Sequence, residues 1–257
     1  MIPALLHGKL TREQENMEDI LTSNVFGALK YVPAELGLLP FLRKCQTLDA
    51  RSTTISKIKQ VTYVEYQFWP SLRERAQLAG EEFICRSCEP DLLLRIGDIQ
   101  GRRLIVLIEA KLHSGKSQIQ PGNPDQPNDQ LAREWDNLAC IALKENAEPL
   151  LVYLTADFDI PVGAIEESYD EYVRIRGRND FECAWLSWRH IPQIFCHQTN
   201  EILVDLVTLC ERLNLKFFYR NERFESLPEI TWSFHPNEIS FEWLSGPTHS
   251  FNWKFET

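Results

Sequence analysis

The run Leu104 to Ile108 is five consecutive apolar residues of strand-forming type, closed by Glu109, Ala110 and Lys111. An apolar stretch without alternation has to be covered on both faces, which makes it an interior strand of a layered sheet. A second run, Asp91 to Ile96, precedes it, and Asp98, Ile99, Gln100 and Gly101 between them carry turn chemistry. A three-residue loop, Ile99 to Gly101, with Gly101 in the left-handed region, joins the two runs as a hairpin in which Asp98 opposes Arg102. Paired residue numbers then sum to 200. In that register Asp91 falls opposite Glu109, on one face with Cβ atoms roughly 4.5–5.5 Å apart. Lys111, two residues beyond Glu109, shares the face. A slip of one residue would destroy the coincidence.

The rest of the chain supplies layers for such a hairpin. Its 257 residues are 44% hydrophobic and 25% charged, with 11 Gly and 14 Pro, which excludes disordered, collagenous and mucin-like proteins. Thr11 and Gln14 read as a capping box opening a helix through Leu29. Val61 to Trp69, rich in β-branched and aromatic residues and stopped by Pro70, predicts a strand. Residues 117–129, with Pro121, Pro124 and Pro127, form a loop that leaves the lysine strand and either covers substrate or only connects. Leu131, Trp135, Leu138 and Ala142 then repeat at helical spacing behind a cap at Asn128 or Asp129. Leu150–Thr155 and Phe181–Ser187 follow as strands, and a helix capped by Asn200 runs towards Leu213. The order predicts an α/β fold with a mixed central sheet flanked by helices. After Pro228 three period-2 alternations, centred on Trp232, Phe241 and Trp253, predict a small antiparallel β extension. The expected domains are thus 1–228 and 229–257, the extension packing on the first domain or at an interface.

No apolar stretch approaches the roughly 18 residues of a membrane span. Ile2 to Leu6 is too short for a secretion signal, so a cytoplasmic address is expected. Seven cysteines argue for reduced thiols rather than a disulfide framework. Cys85 and Cys88 form the single CxxC, and a zinc site would have to borrow from Cys183, His190, Cys196 and His197. The net charge of −10 repels polyanions at long range. Basic residues nevertheless gather locally, with Arg95, Arg102, Arg103, Lys111 and Lys116 around the hairpin.

Two carboxylates and an ammonium on one face, at the end of an apolar strand, are costly unless something offsets their desolvation. A divalent cation does so, and carboxylate oxygens with a backbone carbonyl suit Mg²⁺ or Mn²⁺. Such a site activates water and polarises a phosphoryl oxygen, which is the chemistry of phosphodiester hydrolysis.

Pro90 and Asp91, a hairpin, then Glu109, Ala110 and Lys111 at a strand end resemble the PD-(D/E)XK nuclease superfamily, over roughly residues 11–215. The resemblance implies a restriction-endonuclease-like core of helix, three strands, helix and strand. It implies that Asp91 and Glu109 are metal ligands, that the Ala110 carbonyl adds a third, and that Lys111 is the catalytic lysine. It further implies an acidic ligand on the first helix, for which Glu18 is preferred over Glu15, and a Gln on the following helix, matched by Gln130. In the RecB-like branch a tyrosine comes four residues after that Gln; here Glu134 stands there and Trp135 comes one later. The Glu18–Ser23 segment with Phe68, Trp69 and Pro70 is similar to nucleases of bacterial defence systems. The implied function is an Mg²⁺- or Mn²⁺-dependent endonuclease, with DNA as the expected nucleic acid and with Arg103, His113 and Lys116 to contact it. A basic protein partner that presents substrate, or a second copy of the chain, is also expected.

Two other readings fit the same residues. One keeps the fold without catalysis, as a scaffold or binding subunit engaging protein through its acidic surface and aromatic extension. The other uses Asp91 and Glu109 as the acid/base pair of a glycosidase, against which Lys111 beside them speaks. Asp157 and Asp159 read as turn residues, and Trp185 and Trp188 as core.

Overall fold

Five strands build the central sheet: β1 (Val61–Phe68), β4 (Leu92–Asp98), β5 (Arg103–Ala110), β6 (Glu148–Thr155) and β7 (Cys183–Ser187), in the spatial order β1-β4-β5-β6-β7. The first two pairings are antiparallel and the last two parallel, so the sheet is mixed. Two short strands, β2 (Arg75–Leu78) and β3 (Glu81–Ile84), form a separate hairpin between β1 and β4 in the chain. The structure is a computed structural model that describes residues 2, 6–7, 18–78, 81–117, 124–217, 230–235 and 238–243. The chain divides into two compact units, Met1–Phe217 and Phe218–Thr257.

β4 and β5 pair from Leu92↔Ile108 to Gly97↔Arg103, the register in which residue numbers sum to 200. The turn explains why. The Asp98 carboxylate accepts the N–H groups of Gln100 and Arg102, each at 2.9 Å. Its carbonyl accepts Gly101 N–H at 3.1 Å, and Gly101 takes φ +78°, a conformation open to glycine and strained for most residues. Turn chemistry therefore fixes loop length, and loop length decides which face receives each side chain.

Helices cover both faces of the sheet. On one lie α1 (Glu18–Leu29), α2 (Leu38–Leu42), α5 (His190–Phe195) and α6 (Glu201–Arg212), packed against Leu92, Leu94, Leu104, Val106, Ile108, Val152 and Leu186. On the other lie α3 (Gln130–Glu145) and α4 (Val162–Arg176), packed against Leu93, Ile105, Leu107, Leu151 and Trp185. Odd and even residues of β5 thus go to different cores, the physical content of its unbroken apolar run. Asp129 caps α3 by accepting Ala132 N–H at 3.1 Å, and Asn200 caps α6 through Ile202 and Leu203 N–H. The expected stripe of α3, Leu131, Trp135, Leu138 and Ala142, is wholly buried.

The element order is richer than expected. α4 has no counterpart in the sequence-based order, because it buries only Ile165, Ser168 and Tyr172 and shows little stripe to find. β2, β3, α2 and α5 are too short for a periodicity. The capping box at Thr11 and Gln14, and residues 118–123 of the proline-rich loop, lie outside the described residues. In the second unit β8 (Ile230–His235) and β9 (Glu238–Trp243) pair antiparallel, with Trp232 opposite Phe241; the third alternation, around Trp253, is outside the described residues.

At one side of the sheet Gln46 and Trp185 exchange backbone hydrogen bonds of 2.8 Å, so an isolated bridge lines the edge of β7. At the other side β1 carries a register shift between Val61 and Tyr63, and directly after it come Trp69, with φ +46°, and Pro70. Among the described residues no helix is long and apolar enough to cross a membrane.

Candidate active site

The site is built at the end of the β4–β5 hairpin. Asp91 stands immediately before β4, and its carboxylate accepts Ala110 N–H at 2.8 Å, which fastens it beside the end of β5. Glu109 lies on that strand and Lys111 directly after it, and the Lys111 main chain is clamped from both sides. Its N–H donates to the Leu154 carbonyl at 2.7 Å, and its own carbonyl accepts Trp188 Nε1 at 3.2 Å. The Lys111 ammonium lies 2.5 Å from Glu109 Oε1 and 3.1 Å from Glu18 Oε1.

Glu18 enters from α1, in the opposite helical layer from α3. Its second oxygen accepts Leu112 N–H at 2.8 Å and Ser114 Oγ at 3.0 Å, so α1 is tied to the chain just after the lysine. Gln130, the first residue of α3, donates from Nε2 to Glu109 Oε1 and accepts Ser117 N–H at 2.7 Å. Asp91, Glu109, Lys111, Glu18 and Gln130 are therefore one hydrogen-bonded cluster drawn from four parts of the chain.

Glu134 completes it, and the sequence reading did not count it among the site residues. It lies one turn after Gln130, hence on the same helix face, with its carboxyl beside that of Glu109. The available signal was that i, i+4 spacing, which was instead read as a departure from an expected tyrosine. Tyr153 of β6 pairs with Glu109 across the parallel ladder and is buried as well.

Burial dominates the electrostatics. Asp91, Glu109, Lys111, Gln130 and Glu134 are all no more than 8% exposed. Burial, with the Glu109 charge added, pushes the Asp91 carboxyl up to about 7. Burial raises Glu109 too, against the pull of Lys111. Burial and then the Glu109 charge hold Glu134 well above the carboxylate range. For Lys111 burial works against the charged form, but Glu109 and Glu18 outweigh it and the ammonium is held above its ordinary value.

Among the described residues no three His, Cys, Asp or Glu side chains stand ready around a common point for a metal. The Lys111 ammonium takes the place between Glu18 and Glu109. The donor set nevertheless fits a hard divalent ion: Asp91, Glu109 and Glu18 outnumber one lysine, and Glu109 Oε2 is buried with no hydrogen-bond partner. An acceptor oxygen left bare in a cluster of excess negative charge is what a cation satisfies.

The residues expected to contact nucleic acid are not all brought here. Arg103 opens β5, six residues from Glu109, which at about 3.3 Å per residue is the far end of the strand. Its guanidinium reaches the Glu145 carbonyl instead. The Lys116 ammonium is drawn inward, donating to Asp129 at 2.6 Å, the Ala164 carbonyl at 2.7 Å and Ser168 at 2.9 Å. It anchors the loop to α3 and α4. His113 is exposed, two residues beyond Lys111.

The imagined zinc set is not assembled among the described residues. Cys85 meets Cys140, whereas Cys183 lies within β7 and Cys196 is exposed beyond α5. Trp185 and Trp188 are buried, as expected. Asp157 and Asp159 sit in the turn after β6.

Comparison with protein-family models, curated proteins and solved structures gives no match for this chain. The geometry of the cluster itself is what a functional reading has to rest on.

Proposed function

We propose that the chain is a divalent-metal-dependent nuclease that hydrolyses phosphodiester bonds. The observation that carries this reading is the buried cluster at the hairpin end: Asp91, Glu109 and Lys111 joined by Glu18 from one helical layer and Gln130 from the other, with Glu109 Oε2 buried and without a hydrogen-bond partner. The mixed sheet with α1 before it and α3 after the lysine strand supports a restriction-endonuclease-like core. DNA is the favoured substrate, and service as a defence effector together with a basic protein partner or a second copy belongs to the same reading.

Asp91, Glu109, Glu18 and the Ala110 carbonyl would hold Mg²⁺ or Mn²⁺, which when bound supplies Lewis acidity towards a phosphoryl oxygen and lowers the pKa of water. The chain's own groups do the rest. Gln130 donates to Glu109 and holds its carboxylate beside Lys111. Lys111, its main chain clamped, has only its side chain to move, so its ammonium can turn from Glu18 to orient water and balance charge gathering on phosphate.

The test is cleavage of plasmid, single-stranded DNA and RNA in Mg²⁺, Mn²⁺ or EDTA by the parent chain and by folded Asp91→Ala and Lys111→Ala variants. Cutting that needs metal and is lost in both variants is expected. No cutting, together with no Mn²⁺ binding by calorimetry, would overturn the proposal in favour of a non-catalytic binding subunit.

A further inference from the structure

Apart from the carboxylate cluster, two thiols meet in the second core layer. Cys85, just after β3, and Cys140 of α3 are 55 residues apart in the chain, and their sulfurs are 3.5 Å apart. Both are buried, and all seven cysteines are free. A disulfide needs about 2.0 Å between sulfurs, so closure requires about 1.5 Å of movement shared by two side chains.

The surrounding structure keeps the pair together. Cys85 N–H donates to the Glu74 carbonyl at 2.8 Å, and its sulfur lies 3.5 Å from the Asp136 carbonyl. One residue further along α3, Asn137 clamps the same segment, accepting Glu74 N–H and donating to the Arg86 carbonyl, each at 2.8 Å. The segment is docked on α3 before any covalent bond exists, so the two sulfurs are held as neighbours in the reduced chain.

Cys140 also has an approach from outside. It lines a cavity of about 310 Å³ with Asp136, Ala139, Leu143, Tyr172 and Arg178, room for an oxidant little larger than water. We propose that Cys85 and Cys140 are a redox dithiol, a modification site that hydroperoxides oxidise to an intramolecular disulfide.

The order of events follows from the two environments. Cys140 lines the cavity and Cys85 does not, so a peroxide entering there meets the Cys140 sulfur first. Cys140, as thiolate, attacks a peroxide oxygen; the O–O bond breaks, and hydroxide leaves as water with the proton that Cys140 gave up. Cys85 sulfur then attacks the sulfenic sulfur of Cys140, the S–O bond breaks, and the hydroxyl departs as a second water with the Cys85 proton. Two thiols lose two electrons and hydrogen peroxide gains them. The product ties the segment leading to Asp91 to the helix carrying Gln130 and Glu134.

The test treats the full folded chain with hydrogen peroxide, then denatures it, alkylates it with N-ethylmaleimide and maps the peptides by mass spectrometry. Loss of two of the seven alkylatable thiols is expected, with Cys85 and Cys140 recovered as one linked species that dithiothreitol reverses. A Cys85→Ser chain, its fold checked by circular dichroism, should accumulate dimedone-reactive sulfenic acid at Cys140. Full alkylation of Cys85 and Cys140 at doses that oxidise exposed Cys196, or a link from Cys140 to Cys88 instead, would overturn the proposal. None of these readouts depends on nuclease activity.

Discussion

Asp91 links the chemistry of the site to the stability of the whole chain. Its carboxyl is raised to about 7 by burial and by Glu109, about three pKa units above an exposed aspartate. An acid whose folded pKa exceeds its unfolded one keeps its proton longer in the folded state. Its stabilising effect is therefore complete below pH 4 and is lost as pH rises to 7, by on the order of 4 kcal/mol for such a shift. In EDTA, Asp91→Asn should melt several degrees above the parent at pH 8 and level with it near pH 4.5. Equal melting at pH 8 would mean that Asp91 is solvated. Lys111 gives a second prediction, because its ammonium stands where a cation would neutralise Glu109 and Glu18. Lys111→Met should bind Mn²⁺ at least tenfold more tightly by calorimetry while losing cleavage. Weaker binding would show that the lysine helps to build the site rather than competing for it.

The hairpin is the element on which the register of the cluster depends. Gly101, at φ +78°, and the Asp98 carboxylate fix its loop. Gly101→Val should cost about 1–2 kcal/mol in urea unfolding and Gly101→Asn much less, since asparagine tolerates the left-handed region. Equal losses would place the strain elsewhere. This element was legible because turn residues, an apolar run and period-2 geometry all agreed on one pairing, and Asp91, Glu109 and Lys111 came with it. Gln130 and Glu18 needed the resemblance, since nothing local says which face of a helix meets a strand end. Glu134 was passed over because it was compared with a tyrosine rather than read as a partner for Glu109. Where Arg103 and Lys116 lie could not be read, because sequence proximity says nothing of strand ends or of buried hydrogen-bond partners. α4 went unseen because a helix with three buried positions looks like a polar loop.

For the molecule as a whole, a charge of −10 and a carboxylate-rich site leave little to draw a polyanion towards the proposed site. Cation binding should therefore gate substrate binding as well as chemistry. Labelled oligonucleotide should show no anisotropy change in EDTA and should bind in Ca²⁺, which accepts the same hard oxygen ligands. The slope of log affinity against log salt should be no steeper than about −3, the signature of few phosphate contacts. Tight binding in EDTA would point to a basic surface outside the described residues. The two margins of the central sheet bear on association in another way. Gln46 lines β7, and β1 is interrupted by a register shift at its start and by Trp69 and Pro70 at its end. Neither margin offers a long, regular template for the backbone of a stranger. Backbone pairing by a stranger is thus disfavoured at both flanks of the central sheet, and a partner that settles there has to recognise side chains.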